Sequence, residues 1–478
     1  MNAEAMSAED VRRSMKQLFL HGEMAALSRL AGDVQAQAAA RGDAALAAEA
    51  VHRRGQALFE QFRYDAAHAC FVEALAARSA LFGPGDLSAT YSAACLAATA
   101  WTLDRGPEAL ALHRRALAAL PAEPRDEDRS VVADILKTLG TVERRSRGSE
   151  DALPLFRRAL AVLTRHPAAG HDGPASGPKP RAPSGPDELE IASACIALGM
   201  AEQSAKHEPA AARLFERAHE IRVRILGEEH EYVAYTTHHL GALALSRGDS
   251  EGARVLVERA LAMLERCVGP DHPNVSTELC TLGTIDVMMG QSDRSLPLFE
   301  RAMALEERFF GPKHPHLAAT LVTVATIHAV EERPALAEPL WRRAVELLAP
   351  VPETRAELLR TSLNNLIVTL RMQGKHQEIV AFAEPLLARW EQEPRVPQEI
   401  LTALWNGVSE VHYREGKHAK AEKLLKRALM TATKRYGEQA RELEPLLSNL
   451  VVVLRDMGRR QEANDFAHRL SDLQAKRN

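Results

Sequence analysis

The chain has 478 residues, a net charge of −4 and an apolar fraction of 46%, with aromatic residues at only 5%. So small a net charge supplies no field that would hold nucleic acid or an anionic membrane surface. No run of about 18 apolar residues occurs, and the opening stretch MNAEAMSAEDVRRSMKQ has no apolar core, so neither a spanning helix nor a signal peptide is expected.

Residues 1–44 read as a helical cap or a degenerate repeat. Leu18-Phe19-Leu20, Ala25-Ala26-Leu27 and Leu30 can form a hairpin, with Arg13 and Ala25 in register with the copies that follow. Residues 45–163 hold three copies. The first carries Gly55, Ala67, Phe71 and Ala74 and closes at Gly83-Pro84-Gly85-Asp86. The second carries Ala97, Ala109 and Ala116, and the third Gly140, Ala152, Phe156 and Ala159. Residues 164–187 then break the rhythm. The stretch from His166 to Asp187 has six prolines, four glycines and no periodicity, the composition of a flexible linker, either a loop within one solenoid or a hinge.

Seven further copies fill residues 188–473 with no insertion. Gly241 to Pro273 returns 42 residues later as Gly283 to Pro315. One ladder reads Gly199, Gly241, Gly283, Ala325, Ile367, Ser409, Val451. A second reads Ala211, Ala253, Ser295, Ala337, Ile379, Ala421, Ala463. A third reads Ala218, Ala260, Ala302, Ala344, Leu386, Ala428, Leu470. Within one copy, Ala253, Leu256, Val257, Ala260, Leu261 and Leu264 fall on one face of an α-helix. Gly248-Asp249-Ser250 marks the turn before it and Gly269-Pro270 the stop after it. Such a repeat is one helical hairpin that must stack on its copies to bury its apolar face, which predicts an all-α solenoid.

Two irregularities carry expectations. Pro154, Pro297 and Pro339 share one place inside the second helix and predict a mild kink, not a break. Repeats eight and ten lose small residues, as Ile367 with Leu386 and Val451 with Leu470, so their helices are expected to stand further apart or cross differently. Residues 474–478 form a polar tail.

The chain resembles tetratricopeptide repeat (TPR) proteins, with long repeats like those of kinesin light chains. The resemblance covers about residues 45 to 473. It rests on the connectors Gly269–Pro273 and Gly311–Pro315, with Gly227-Glu228-Glu229-His230 a weak copy. It rests also on Leu363–Leu366, reading Leu-Asn-Asn-Leu, and its partial copy Leu447-Ser448-Asn449-Leu450. The resemblance implies a right-handed superhelical solenoid of stacked TPR hairpins, the first helix of each lining a concave groove. It implies a non-catalytic scaffold or adaptor that binds a peptide or helix there. The alternative is a peptide-responsive regulatory sensor acting on a separate effector.

On that scheme the groove receives Lys137, Thr141 and Arg144 in repeat three, and Tyr235, His238 and His239 in repeat five. Thr277, Cys280, Thr284, Val322 and Thr326 make a neutral middle. The last repeats bring Asn364, Asn365, Arg371, Asn406, Glu410, Tyr413, Arg414, Asn449 and Arg455. Asparagine can pair with a peptide carbonyl and amide together, and arginine forks suit carboxylates. The resemblance gives the peptide-holding role to Asn365 and Asn449, but His239, Thr281 and Thr323 stand where the family has asparagine. Arg371, Arg414 and Arg455 point to a peptide of acidic character.

No phosphate-cradling glycine loop, nucleophile elbow or paired-histidine zinc motif occurs; His230-Glu231 lacks its second histidine. His230, His272 and His314 recur at 42 residues, but stacked repeats hold equivalent positions on the order of 10 Å apart, too far to share a zinc ion. They read as connector histidines bonding nearby backbone. Cys70, Cys95, Cys195, Cys267 and Cys280 include no Cys-x-x-Cys pair and read as reduced thiols of a cytoplasmic protein. The expected partner is a protein or peptide, with no cofactor, metal, nucleic acid or membrane. Limited proteolysis is expected to cut first between Thr164 and Asp187, where no packed face is predicted; initial cleavage inside repeats five to seven would contradict this.

Overall fold

The structure is a computed structural model that describes residues 7–103, 105–164, 185–350, 352, 355–393 and 396–475. These residues form α-helices and no strands. Packing divides the chain into two compact units, Met1–Ile285 and Asp286–Asn478.

The helices pair in chain order. The cap is α1 (Ala8–Leu20) and α2 (Met24–Arg41). Repeats one to three are α3 (Ala44–Glu60) with α4 (Tyr64–Phe82), α5 (Leu87–Thr102) with α6 (Gly106–Ala118), and α7 (Arg129–Ser146) with α8 (Ser149–Thr164). Repeats four and five are α9 (Gly185–Ser204) with α10 (Glu208–Leu226), and α11 (Glu231–Ser246) with α12 (Ser250–Val268). Repeats six to eight are α13 (Asn274–Met288) with α14 (Ser292–Phe310), α15 (Leu317–Val330) with α16 (Pro334–Leu348), and α17 (Ala356–Met372) with α18 (His376–Trp390). Repeats nine and ten are α19 (Gln398–Arg414) with α20 (His418–Tyr436), and α21 (Glu444–Asp456) with α22 (Arg460–Ala475). Within each unit first helices of successive pairs touch, as α5 does α7 and α17 does α19, so these helices line the inner side of the unit.

A small-to-large interlock closes the hairpins of repeats one, three and four. A Cβ placed on Gly55 would lie 2.8 Å from the Phe71 ring, one on Gly140 2.7 Å from Phe156, and one on Gly199 2.5 Å from Phe215. Each ring is essentially sealed from solvent. The ladder position is small because a larger side chain of the second helix occupies its space, a phenylalanine in these three hairpins and Val257 under Gly241.

Where the small residue is lost, the hairpin opens. Repeat eight carries Ile367, Ile379 and Leu386, and the backbones of α17 and α18 approach far less closely than those of its neighbours α15–α16 and α19–α20, as the sequence predicts. Ile367 packs instead toward Gly407 of α19, whose added Cβ would meet the isoleucine at 2.7 Å. The pair α21 and α22, with Val451 and Leu470, is intermediate. The cap follows the same rule. Arg13 and Arg29 stand at the interlock positions, both exposed, and α1 packs only lightly on α2. Two like charges cannot replace a glycine under a phenylalanine.

The connectors have one design. Gly269 ends α12 at φ 91° and ψ 155°, a conformation essentially confined to glycine. His230 Nδ1 then accepts from Tyr232 N at 3.0 Å, His272 Nδ1 from Asn274 N at 3.3 Å, and His314 Nδ1 from His316 N at 3.2 Å. In repeat one Asp86 does the same for Ser88 N at 2.8 Å. The recurring histidine satisfies orphan donors at the start of the next helix.

Pro154, Pro297 and Pro339 lie inside α8, α14 and α16, which continue through them. Most of the linker expected at 164–187 lies outside the described residues. The helices on its two sides, α8 and α9, pack together, with Phe156 near Leu198 and Arg157 paired with Glu202 at 2.9 Å. No described helix is long and apolar enough to cross a membrane.

Gly199→Ala should destabilise the protein by about 1–2 kcal/mol by overpacking, although alanine favours helix. Gly199→Ile with Phe215→Ala, which copies the Ile367 and Ala383 pairing, should be less damaging than the two single changes added. Additive losses in chemical denaturation would refute the interlock.

Candidate functional site

On the inner side of the first unit, α3, α5, α7 and α9 enclose a cleft of about 320 Å³. The repeat brings its residues together. Tyr91, Asp134 and Ser193 occupy the same place in successive hairpins, six residues before the interlock position. Stacking therefore sets them side by side across three helices.

A continuous polar chain forms the floor. Arg53 Nη1 donates to Gln56 Oε1 at 3.0 Å, and Gln56 Nε2 to the Tyr91 hydroxyl at 2.7 Å. Tyr91 donates to Asp134 Oδ2 at 3.1 Å. Lys137 Nζ pairs with Asp134 Oδ1 at 2.7 Å and donates to Ser193 Oγ at 3.2 Å. Burial pushes the Asp134 carboxyl up, but Lys137, Arg53 and the tyrosine bond outweigh it and hold the group below the ordinary carboxylate range. Burial, with Asp134 nearby, pushes the Tyr91 hydroxyl and the Cys95 thiol well up. Phe19 of α1, Phe59 of α3 and Trp101 of α5 give the cleft apolar walls, and all three remain part-exposed. Glu60 stands on the rim, in contact with solvent, and the protein around it pushes its carboxyl up.

Beside the cleft, α11 presents Glu231 and Tyr232. Burial, with Glu60 as the charged neighbour, pushes the Glu231 carboxyl up to about 7. The Tyr232 hydroxyl donates to the Phe19 carbonyl at 3.3 Å.

Of the residues expected in the groove, Lys137 and Thr141 line this cleft, while Arg144 is not among its lining residues. His238 is half-buried and its Nδ1 bonds Glu278 at 2.7 Å, joining α11 to α13. His239 stacks on Phe215 with ring centres 5.1 Å apart, and burial holds its pKa down at about 3, so the ring is neutral. The four threonine hydroxyls of Thr281, Thr284, Thr323 and Thr326 bond carbonyls of their own helices.

In the second unit, Arg371 Nη1 meets Glu410 Oε2 at 3.0 Å, and Arg414 Nη2 meets Glu410 Oε1 at 3.2 Å, so one carboxylate holds both guanidinium groups. Tyr413 donates to Asp456 at 2.5 Å, and Asn449 to Asn406 at 3.0 Å. Asn364 and Asn365 are half-buried on α17, and Arg455 is exposed on α21. Gln56, Tyr91, Trp101 and Asp134 escaped the sequence reading. Their signal was present in the shared register of Tyr91, Asp134 and Ser193, but the register shifts by one residue between repeats two and three.

The described residues contain no group of three or more His, Cys, Asp or Glu arranged to hold a metal. Their five cysteines are all free thiols, buried at Cys95 and Cys195 and exposed at Cys267.

A family model described as tetratricopeptide repeat matches residues 190–266 and 275–348, and a second with the same description matches residues 48–87. These three segments are tetratricopeptide repeats. No curated protein matches it. Among solved structures, the TPR chain is similar to BtubC (BKLC) from P. vanneervenii at 21% identity, over 52% of this chain and 92% of that one, with a TM-score of 0.38. A putative kinesin light chain from Podosopora anserina, with nearly identical TPR-like repeats, is 20% identical over 43% of this chain and 98% of that one, with a TM-score of 0.36. A Rap protein complexed with Competence and Sporulation Factor is 12% identical over 90% and 98%, with a TM-score of 0.49.

The raised Glu231 pKa has a defined sign. The folded TPR protein keeps a proton that the unfolded chain releases above its ordinary value of 4.5, so the contribution is complete at low pH and is lost as pH rises through about 7. Thermal stability of the wild type should therefore fall between pH 5 and pH 8 relative to Glu231→Gln. Parallel curves would exclude a perturbed Glu231.

Proposed function

We propose that this TPR protein is a non-catalytic interaction scaffold that takes a peptide or helix on the inner face of its first unit. The observation that carries the reading is the cleft, with a hydrogen-bonding floor between aromatic walls. That combination suits a peptide: a planar wall takes an apolar side chain, and fixed donors and acceptors meet the backbone. Lys137 spends two of its three donors on Asp134 and Ser193, and the third can serve a ligand carbonyl. The floor is poor in proton-transfer chemistry, because Asp134 is held ionised while Tyr91 and Cys95 are held protonated. Glu60 at the rim favours a positively charged residue in the peptide.

An acidic peptide on the last repeats is the second reading. It rests on Arg371, Arg414 and Arg455, and such a ligand must compete with Glu410 for the first two.

The two readings separate in one experiment. Peptides selected by display on the full chain are titrated against variants. Trp101→Ala should weaken binding by at least tenfold, in line with about 2 kcal/mol for a central aromatic contact, and Lys137→Met should also weaken it. Arg371→Glu with Arg414→Glu should leave it unchanged. Loss confined to the arginine variants would move the site to the second unit, and equal binding by all variants would remove both.

A further inference from the structure

Helix α1 does not behave as the first helix of a hairpin. With Arg13 and Arg29 at the interlock, it packs lightly on α2 and lies across the inner face of the first unit. Val11 and Met15 are buried on one side, in the cluster that holds Leu27, Leu30 and Ala57. The flank of the helix next to that stripe makes polar contacts with distant repeats. Lys16 Nζ meets Glu190 Oε1 of α9 at 2.6 Å and donates to Ser130 Oγ of α7 at 3.2 Å. Ser130 donates to the same Glu190 oxygen at 2.7 Å. Arg12 pairs with Glu49 of α3 at 3.5 Å, and Phe19 lines the cleft while its carbonyl takes the Tyr232 hydroxyl.

This is a helix seated on a built receptor surface. Glu190 is 3% exposed, and its charged partner comes from α1. A nearly buried carboxylate of that kind selects for a cation at one place on the docked helix. The cleft beside it selects for an aromatic residue three positions later, on the same helical face. Its backbone packing on α2 is light, and α1 is held by the buried Val11 and Met15 and by these polar pairs, side chains that a partner helix of the same pattern can replace.

We propose that the inner face of the first unit is a helix-docking site. Its occupant in this chain is α1, and a partner amphipathic helix bearing a lysine followed three residues later by an aromatic residue exchanges with it. The inference rests on reading this face as an interaction surface and names the partner's chemistry.

The test uses the full chain and a fluorescein-labelled synthetic peptide of residues 7–22. The wild type should bind the peptide weakly, because its own α1 fills the site. Lys16→Glu in the chain places two carboxylates together, releases α1 and leaves the surface intact. That variant should bind the peptide at least tenfold more tightly in fluorescence anisotropy. Its residues 8–20 should also exchange amide hydrogen at least tenfold faster. The double swap Lys16→Glu with Glu190→Lys restores the pair in cis and should return both readouts toward wild type. Equal peptide binding and equal exchange in wild type and Lys16→Glu would overturn the proposal, as would failure of the double swap to restore them. None of these readouts depends on a ligand in the cleft, so the cleft reading stands or falls separately on Trp101→Ala.

Discussion

The structure depends on one steric constraint, the close crossing of two helices at a small residue that faces a larger side chain of its partner. Gly55 under Phe71, Gly140 under Phe156 and Gly199 under Phe215 leave no room for another carbon. A buried aromatic side chain contributes on the order of 3–5 kcal/mol to such a core. Repetition of that fit down the chain keeps successive hairpins at one geometry. Where the fit fails the geometry changes, and it fails in recognisable ways: by a bulky side chain at Ile367, and by charge at Arg13.

Regular stacking converts sequence register into lateral order. Residues more than 40 positions apart become neighbours on the inner face, as Tyr91, Asp134 and Ser193 do. Polar groups on the inner side of each unit are tied to one another. The floor from Arg53 to Ser193 offsets its desolvation through internal bonds, and in the second unit Arg371 and Arg414 share Glu410. A ligand therefore meets a surface that is already ordered, and binding need not freeze long side chains.

The connectors perform a different task. A glycine with positive φ turns the chain, and three positions after it a histidine or aspartate accepts from the next helix. The histidine ladder thus belongs to helix capping, and its spacing follows from the repeat. The same spacing would otherwise suggest a metal site.

The sequence by itself determined the helical hairpins, their 42-residue register, the interlock positions, the opening of repeat eight and the capping histidines. All of these follow from local periodicity or from contacts inside one hairpin, whose partners lie within about two dozen residues. It did not reveal the cleft or the position of α1. Tyr91 meets Asp134 only after two hairpins have stacked, and Lys16 meets Glu190 across 174 positions of chain, separations over which no periodic pattern persists. His238 and His239 are expected in the groove by register, and which neighbours their rings meet, Glu278 and Phe215, is set by packing. Tertiary structure decided those points, since only packing chooses which side of an amphipathic helix faces its neighbours and which faces a ligand.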